Sequence, residues 1–339
     1  MLKRVVHTIW DDAINEEDSG LDRMEIFEHD VSRAELRKRN LGHIQPTPMK
    51  YILETKLNPD GTFKKAKARK VLQGIKGRFM IKGIHFSVVF AATPATFVQK
   101  MLQCLALAEK MKRFAFDVCQ AYLHAKRDKS EWIPARYPDG PPRDAHRDPK
   151  TGEERFAVLK GNLYGDPNSA RLWQKELFDW LESLDGMQSP FKITMSGTEG
   201  RETTDLVQDN APGATSRDVL VSTGYTGKWS VQRMMYESCV VKLKLRSTVV
   251  ISIHTDDCDG VAHDVRDAAD IMKLFQTRYG IRVCEPSFML GIFREEYTEE
   301  GVRHIKMSQP NYMEKMQEEF AQHMAGRSEQ PRRHRHQAD

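Results

Sequence analysis

The sequence contains no long run of apolar residues. Its 339 residues are 40% hydrophobic, and no apolar stretch approaches the roughly 20 residues needed to span a bilayer. The N-terminal segment turns acidic at Asp11 and Asp12, before the apolar region of a secretory signal could form. These absences predict a globular protein with one large or two modest cores, no membrane partner and an intracellular location, cytoplasmic or nuclear.

Cysteine is scarce and scattered. The five cysteines contain no Cys-x-x-Cys pair; they are Cys104, Cys119, Cys239, Cys258 and Cys284. An odd number without local pairs indicates neither a disulfide framework nor a zinc site. We therefore expect reduced thiols.

Charged residues are abundant but separated along the chain, so the formal net charge of +4 is a poor guide to the surface. Nine acids and one Arg lie within residues 11–30, whereas eight Lys or Arg and no acid lie within residues 62–82. Clustered cations bind phosphate groups, because each contact releases counterions. The alternative is a solvated charged face, which is also the interpretation of the basic run 332–336.

From residue 46 onwards, segments with strand periodicity alternate with segments of helical periodicity. A hairpin is predicted over residues 51–72, around an Asp-Gly turn. The other predicted strands are 114–118, 156–159, 249–255, 260–262, 281–284, 288–292 and 303–307, and the predicted helices are 96–111, 170–184, 267–278 and 312–320. Frequent hairpins without regular βαβ spacing predict an α+β fold with helices packed on one face of a sheet.

The remaining segments are predicted to lie outside this core. Residues 1–45 are predicted to be a charged, poorly ordered leader with one helical stretch near residues 33–39. Residues 137–152 are predicted to be a loop and residues 192–227 a polar insertion, because both are rich in turn-forming residues. Residues 321–339 are predicted to form a basic disordered tail.

Three acids lie at the ends of predicted strands. Asp256 and Asp257 follow the apolar run 249–255, and Asp117 lies in the run 114–118. Adjacent carboxylates repel each other, and a divalent cation or strong donors offset that repulsion. The alternative for the pair is turn chemistry, because Asp side chains cap their own backbone. Together the three acids predict a two-metal site for phosphoryl transfer.

Several short motifs follow one another in a specific order. They are Asn58-Pro59-Asp60-Gly61, Lys67-Ala68-Arg69, Phe116-Asp117-Val118-Cys119-Gln120-Ala121-Tyr122-Leu123, Leu159-Lys160-Gly161-Asn162-Leu163-Tyr164-Gly165, Arg171-Leu172-Trp173, Asp256-Asp257 and Met289-Leu290-Gly291-Ile292. In this order the chain resembles the reverse transcriptase domain of copia-type retrotransposon polyproteins. The similarity runs from about Tyr51 to Phe320, which is most of the chain.

The resemblance implies a fold and a domain division. The fold would be a right-hand polymerase, in which an antiparallel palm sheet with helices on one face carries β-rich fingers and a short or partial thumb. Within a domain of residues 46–320, the fingers would be about 46–112 and 130–160 and the palm about 113–129 and 161–285. Residues 286–320 would form a partial thumb or connection.

The resemblance also implies catalytic roles. Asp117, Asp256 and Asp257 would hold two Mg²⁺ ions, with Mn²⁺ as an alternative, and Asp117 and Asp256 would be the main ligands. The reaction would be phosphoryl transfer from a deoxynucleoside triphosphate to a primer 3′-hydroxyl on an RNA or DNA template. The implied partners are therefore a template-primer, nucleotide substrates and other products of the polyprotein.

Binding roles follow from the same resemblance. The residues implied to bind the nucleotide are Lys67, Arg69, Tyr122 and Asn168. Tyr122 would be a steric gate against the 2′-hydroxyl, or else a core aromatic beside a strand. Arg69 and Lys67 alternate onto one strand face, and the planar guanidinium of Arg69 suits phosphate oxygens. The residues implied to contact nucleic acid are Lys64, Lys65, Arg171 and His254.

The chain departs from the family pattern at two places. Residues 166–170 occupy the place of a Lys-Gln-Ala-Pro-like segment of the family. Asn168 falls where the family has glutamine, which is a longer amide. Asp166 adds a negative charge near a polyanionic ligand. His254 and Thr255 replace an aromatic and an aliphatic residue, and His254 would be a metal ligand, a proton shuttle or simply packed. The alternative function is thus a catalytically degenerate remnant that retains the fold and binds nucleic acid. A third interpretation is a protein-interaction fragment that uses its acidic leader.

Overall fold

The computed structural model describes residues 2–58, 62–74, 80–84, 86, 89–188 and 227–328. Its helices are α1 (Leu2–Arg23), α2 (Arg33–Lys38), α3 (Thr96–Ala108), α4 (Ala121–His124), α5 (Pro141–Ala145), α6 (Ser169–Ser183), α7 (Val265–Tyr279) and α8 (Pro310–Ser328), with a 3-10 turn at Lys129–Glu131. Its strands are β1 (Phe27–Val31), β2 (Thr47–Leu57), β3 (Phe63–Leu72), β4 (Lys112–Val118), β5 (Ile133–Arg136), β6 (Phe156–Leu159), β7 (Ser230–Arg233), β8 (Val240–Lys244), β9 (Thr248–His254), β10 (Asp257–Ala262), β11 (Ile281–Cys284), β12 (Phe288–Met289), β13 (Ile292–Glu299) and β14 (Val302–Ser308).

The strands form three sheets. Their orders are β1-β6-β5-β2-β3, β11-β4-β10-β9-β8-β7 and β12-β13-β14. Within the described residues, neighbouring strands run antiparallel except β2 and β5, which are parallel. The predicted α+β class with antiparallel sheets and packed helices is confirmed at this level.

One face of the six-stranded sheet is covered by α6 and α7. Phe114, Phe116 and Val118 of β4 belong to the core cluster that includes residues of both helices. The ring of Phe116 lies 4.9 Å from the ring of Phe275 on α7, measured between centroids. Because side chains alternate along a strand, the intervening Asp117 lies on the opposite face. The hydrophobic pattern of β4 thus determines where its acid lies.

The predicted poorly ordered leader is wrong, because residues 2–38 form α1, β1 and α2. On α1, Ala13 packs against Ala66 and Ala68 of β3, and β1 is an edge strand of the five-stranded sheet. The acids of α1 contact basic β3: Asp18 lies 2.7 Å from Lys70. The acidic and basic runs of the sequence are therefore partners in the fold.

Other predicted elements need smaller corrections. The hairpin 51–72 is confirmed as β2 and β3, although its turn residues 59–61 lie outside the described residues. The strand predicted at 288–292 is interrupted, because Leu290 and Gly291 adopt positive φ angles of 51° and 76° between β12 and β13. The predicted loop 137–152 contains the short helix α5.

Most of the predicted polar insertion and of the predicted C-terminal tail lies outside the described residues. Helix α8 extends the predicted helix to Ser328, so residues 321–328 are helical rather than disordered. Residues 189–226, which contain most of the predicted insertion, and residues 329–339 lie outside the described residues. In the part of the chain that is described, no helix is both long and apolar enough to cross a membrane.

Candidate active site

A two-residue turn, Thr255 and Asp256, joins β9 to β10. His254 and Asp257 are the last residues paired across this hairpin. Thr255 has a positive φ of 61°, which β-branched residues rarely adopt because of steric conflict with the backbone. The apolar strands on either side are buried, so the sheet fixes where the turn projects.

Asp117 lies beside this turn on the neighbouring strand. Its Cα pairs with that of Asp257 on β10 and with that of Arg282 on β11. Directly opposed residues point to the same face of a sheet, so all three side chains lie on the face away from α6 and α7. The backbone carbonyl of Asp256 accepts a hydrogen bond from the Val118 amide at 2.8 Å, which joins the turn to β4.

The carboxylates form a strongly negative environment. Burial raises the pKa of Asp117, and the charge of Asp256 raises it further, while Arg282, whose Nη2 lies 2.9 Å from Asp117 Oδ2, acts in the opposite direction. Burial also raises the pKa of Asp257, with further increases from Asp256 and Asp117 and a decrease from His254. The nearby cations therefore do not fully offset the cost of ionising these acids, which favours a bound cation.

The carboxylates fit metal binding by two protein ligands rather than by three. Among the described residues, no three His, Cys, Asp or Glu side chains are grouped to hold a metal ion. The predicted set of three carboxylate ligands is therefore not formed. Mg²⁺ commonly keeps several waters and binds through one or two carboxylates plus substrate phosphates. Asp117 and Asp257, opposed on adjacent strands, fit this mode, with Asp256 alongside.

Two aromatic residues hold the turn. Tyr122 of α4 is half-buried against the core, forms a side-chain hydrogen bond with Thr255, and has its pKa raised mainly by burial. The buried indole of Trp173 donates a hydrogen bond from Nε1 to the Thr255 carbonyl at 2.7 Å. The sequence alone indicated no individual role for Trp173; the available signal was its place in the Arg171-Leu172-Trp173 motif.

The predicted phosphate-binding residues lie on β3. Lys67 and Arg69 alternate with the buried Ala66 and Ala68, which gives the two cations one common face. Burial and neighbouring cations lower the pKa of Lys67, and its charge also lowers the pKa of Asp117. The hairpin therefore lies near enough to the carboxylates to influence their ionisation.

Not every β3 cation is free to bind a ligand. Arg69 Nη1 lies 2.8 Å from Oε2 of Glu54 on β2, so phosphate would have to compete with this ion pair. Lys64 and Lys65 are exposed at the beginning of β3. These two remain accessible, as the predicted contact with nucleic acid requires.

The segment before α6 differs from the prediction. Asn168 is 1% exposed, and its Oδ1 accepts a hydrogen bond from Arg171 Nε at 2.8 Å. A direct nucleotide contact by Asn168 does not agree with this burial. Arg171 also pairs with Glu131 at 3.3 Å, so its charge is partly neutralised within the protein.

Asp166 does not add charge to the ligand site. It is buried and forms an ion pair with the buried guanidinium of Arg127. The family departure at Asp166 thus has a partner inside the protein. Gly165, which precedes it, has a φ of 81°, and a Cβ there would lie 2.1 Å from the Leu72 carbonyl oxygen, so this close contact between the end of β3 and the segment before α6 requires glycine.

No protein-family model and no curated protein matches the chain. The features that bear on function are therefore the opposed carboxylates, the turn beside them and the cations of β3.

Proposed function

We propose that this protein is an RNA-directed DNA polymerase, a reverse transcriptase of the copia type, which transfers a nucleotide from a deoxynucleoside triphosphate to a primer 3′-hydroxyl. The observation that carries the proposal is the pairing of Asp117 with Asp257 on adjacent strands, beside Asp256 in the turn. Burial raises the pKa of both paired carboxyls, the charge of Asp256 raises both further, and a divalent cation would relieve that repulsion.

In this proposal each group of side chains has one task. Asp117 and Asp257 would hold Mg²⁺, which when bound lowers the pKa of the attacking hydroxyl and neutralises charge on the triphosphate. Lys67 would contact the triphosphate, and Arg69 would exchange Glu54 for a phosphate oxygen. Tyr122, held beside the turn, would lie beneath the sugar and exclude a 2′-hydroxyl.

The architecture is assigned in the same way. The six-stranded sheet with α6 and α7 would be the palm, and the five-stranded sheet would belong to the fingers, with α1 and β1 as part of it. The three-stranded sheet and α8 would form the partial thumb or connection. The fingers would then begin within the first 45 residues rather than after them.

A second candidate is a degenerate remnant that binds nucleic acid without catalysis. The buried Asn168 and the internally paired Arg171 favour it, because neither side chain is free for a nucleotide or template. The exposed Lys64 and Lys65 would be retained for binding in this case.

Primer extension separates the two candidates. The purified chain is incubated with a primed RNA template, deoxynucleotides and Mg²⁺, and extension is compared among wild type, Asp117→Asn, Asp257→Asn and the control Asp179→Asn. Asp179 lies on α6, is 60% exposed and pairs with Lys175. We expect the first two substitutions to abolish extension and the control to retain it. Duplex binding without extension by the wild type would support the remnant instead.

A further inference from the structure

The turn that carries Asp256 has a backbone conformation that its sequence does not favour. Thr255 adopts a φ of 61°, and a β-branched side chain in this region conflicts sterically with the backbone. Such conformations persist only where the surrounding structure holds them. The contacts that hold Thr255 therefore bear directly on the carboxylates of Asp256 and Asp257.

Three polar contacts hold the turn. The Val118 amide donates to the Asp256 carbonyl at 2.8 Å, and Tyr122 forms a hydrogen bond with the Thr255 side chain. Both of these come from β4 and the helix that follows it. The third contact, from Trp173 Nε1 to the Thr255 carbonyl at 2.7 Å, comes from α6. It is the one that acts on the backbone of the strained residue itself.

The indole of Trp173 has little freedom to move. The residue is 1% exposed, and its ring packs edge-on against Tyr279 at 5.1 Å and tilted against His124 at 6.0 Å between centroids. Packing from α4 and α7 therefore fixes the direction of the indole N–H bond. A donor with a fixed direction can maintain the orientation of the carbonyl that it contacts.

We propose that Trp173 is a positioning residue: its indole N–H holds Thr255 in the left-handed conformation and so fixes Asp256 and Asp257 relative to Asp117. Its effect on catalysis rests on the proposed function, whereas its effect on the turn does not. Trp173 acts through the Thr255 carbonyl, to which its indole N–H donates.

The first test removes the N–H and keeps an aromatic ring. Trp173→Phe is compared with Trp180→Phe, the same change on the same helix, whose ring packs on Phe275 and Tyr279 at 5.0 Å. Hydrogen exchange of the peptide 252–259 is followed by mass spectrometry. We expect faster exchange in Trp173→Phe alone. Equal exchange in Trp173→Phe and the wild type would overturn the proposal.

A measurement on the unmodified protein covers the case in which Trp173→Phe does not fold. With ¹⁵N-labelled tryptophan, we expect the Trp173 indole N–H to exchange with solvent more slowly than that of Trp180. Indole exchange as fast as that of Trp180 would contradict a persistent hydrogen bond to Thr255.

Kinetics then separate positioning from packing. For Trp173→Phe we expect kcat of primer extension to fall by about threefold to tenfold, the range for removal of one hydrogen bond, with KM for the nucleotide unchanged. In a Thr255→Gly background the same substitution should change kcat by less than about twofold, because glycine adopts positive φ without a holding contact. Equal effects of Trp173→Phe in both backgrounds would indicate packing alone and overturn the proposal.

A wild type that extends no primer would refute the proposed function, and the exchange measurements would still decide the role of Trp173 in the turn.

Discussion

Two kinds of partner distinguish the buried Asp166 from the partly buried Asp117 and Asp257. Asp166 has a guanidinium of its own, since Arg127 is buried beside it with no exposed side-chain surface on either residue. Asp117 and Asp257 instead lie opposite each other beside Asp256, and the charges of Arg282, Lys67 and His254 offset the repulsion only in part. Asp166 therefore stabilises the fold. Asp117 and Asp257 destabilise it, at a place where a bound ligand can restore the lost stability.

Asp166→Asn tests the stabilising role of Asp166. The substitution leaves Arg127 buried without its counter-ion, so we expect the free energy of unfolding to fall by about 3–5 kcal/mol. Urea denaturation monitored by circular dichroism measures this change. Asp179→Asn, at an exposed site on α6, should change stability by no more than about 0.5 kcal/mol. Similar small effects for both variants would mean that the Arg127 pair is unimportant for stability.

Asp257→Asn tests the destabilising role of Asp257. Because burial raises the folded-state pKa of Asp257 above 3.8, the unfolded chain ionises first as pH rises, and this residue lowers the unfolding free energy above that pH. We therefore expect Asp257→Asn to stabilise the protein at neutral pH in metal-free buffer, with the gain disappearing below the unfolded-state pKa. Urea denaturation at a series of pH values with a chelator measures it. A variant that is less stable than wild type at neutral pH would contradict this electrostatic account.

At the scale of elements, the buried Arg294 is one of the links between the three-stranded and six-stranded sheets, beside the ion pair of Arg113 on β4 with Glu296 on β13. Arg294 of β13 is 1% exposed and lies 2.9 Å from Oδ2 of Asp259 on β10, and it also donates to Gln99 of α3. Asp259 is two residues from Asp257 and on the same strand face. The position of β12 to β14 is therefore linked to the strand that carries the acid.

Arg294→Met tests this link. It leaves Asp259 buried without a counter-ion, and we expect a loss of about 3–5 kcal/mol in unfolding free energy. The double variant with Asp259→Leu should recover most of the loss, because no uncompensated charge then remains. Lys306→Met on β14 is the control, since that side chain is 65% exposed. The link would be disproved if Arg294→Met and Lys306→Met had equal effects in urea denaturation.

Elements with strong local periodicity were predictable from sequence, and those that depend on distant partners were not. The predicted strand 156–159 and the helix predicted at 267–278 correspond to β6 and α7, because each has an uninterrupted apolar pattern. The helix α1 was missed, since its acids resemble a solvated leader until β3 is present to pair with them.

The same distinction applies to the site. Asp117, Asp256 and Asp257 could be selected as candidate metal ligands from their place at strand ends. The pairing of Asp117 with Asp257 depends on the register of β4 and β10. The burial of Asn168 depends on how α6 begins and on Arg171 nearby, neither of which short-range periodicity reveals. The order of the motifs therefore indicates the candidate acids, whereas tertiary packing determines which polar side chains near them are free to bind a ligand.

At the scale of the whole molecule, a cation of the five-stranded sheet lies near the carboxylates of the six-stranded sheet. The β2–β3 hairpin contributes Lys67 near Asp117, while Lys64 and Lys65 are exposed at the beginning of β3. Under the proposed function, a nucleic acid bound beside the hairpin would meet cations of β3 and carboxylates of the six-stranded sheet. Phosphate groups can approach those carboxylates only when cations lie between them. Experiments should therefore be able to separate duplex binding by the β3 lysines from the metal dependence of the reaction.

The salt dependence of duplex binding tests this arrangement. The slope of log K against log salt concentration should become shallower by about 0.9 for each phosphate that the protein no longer neutralises, so Lys64→Ala with Lys65→Ala should flatten the slope relative to wild type. Fluorescence anisotropy with a labelled primer-template over a series of KCl concentrations measures it. Lys175→Ala with Lys315→Ala removes the same charge from exposed sites on α6 and α8 and should leave the slope unchanged. If both pairs of substitutions flatten the slope equally, the attraction comes from net charge, and β3 is not the binding surface.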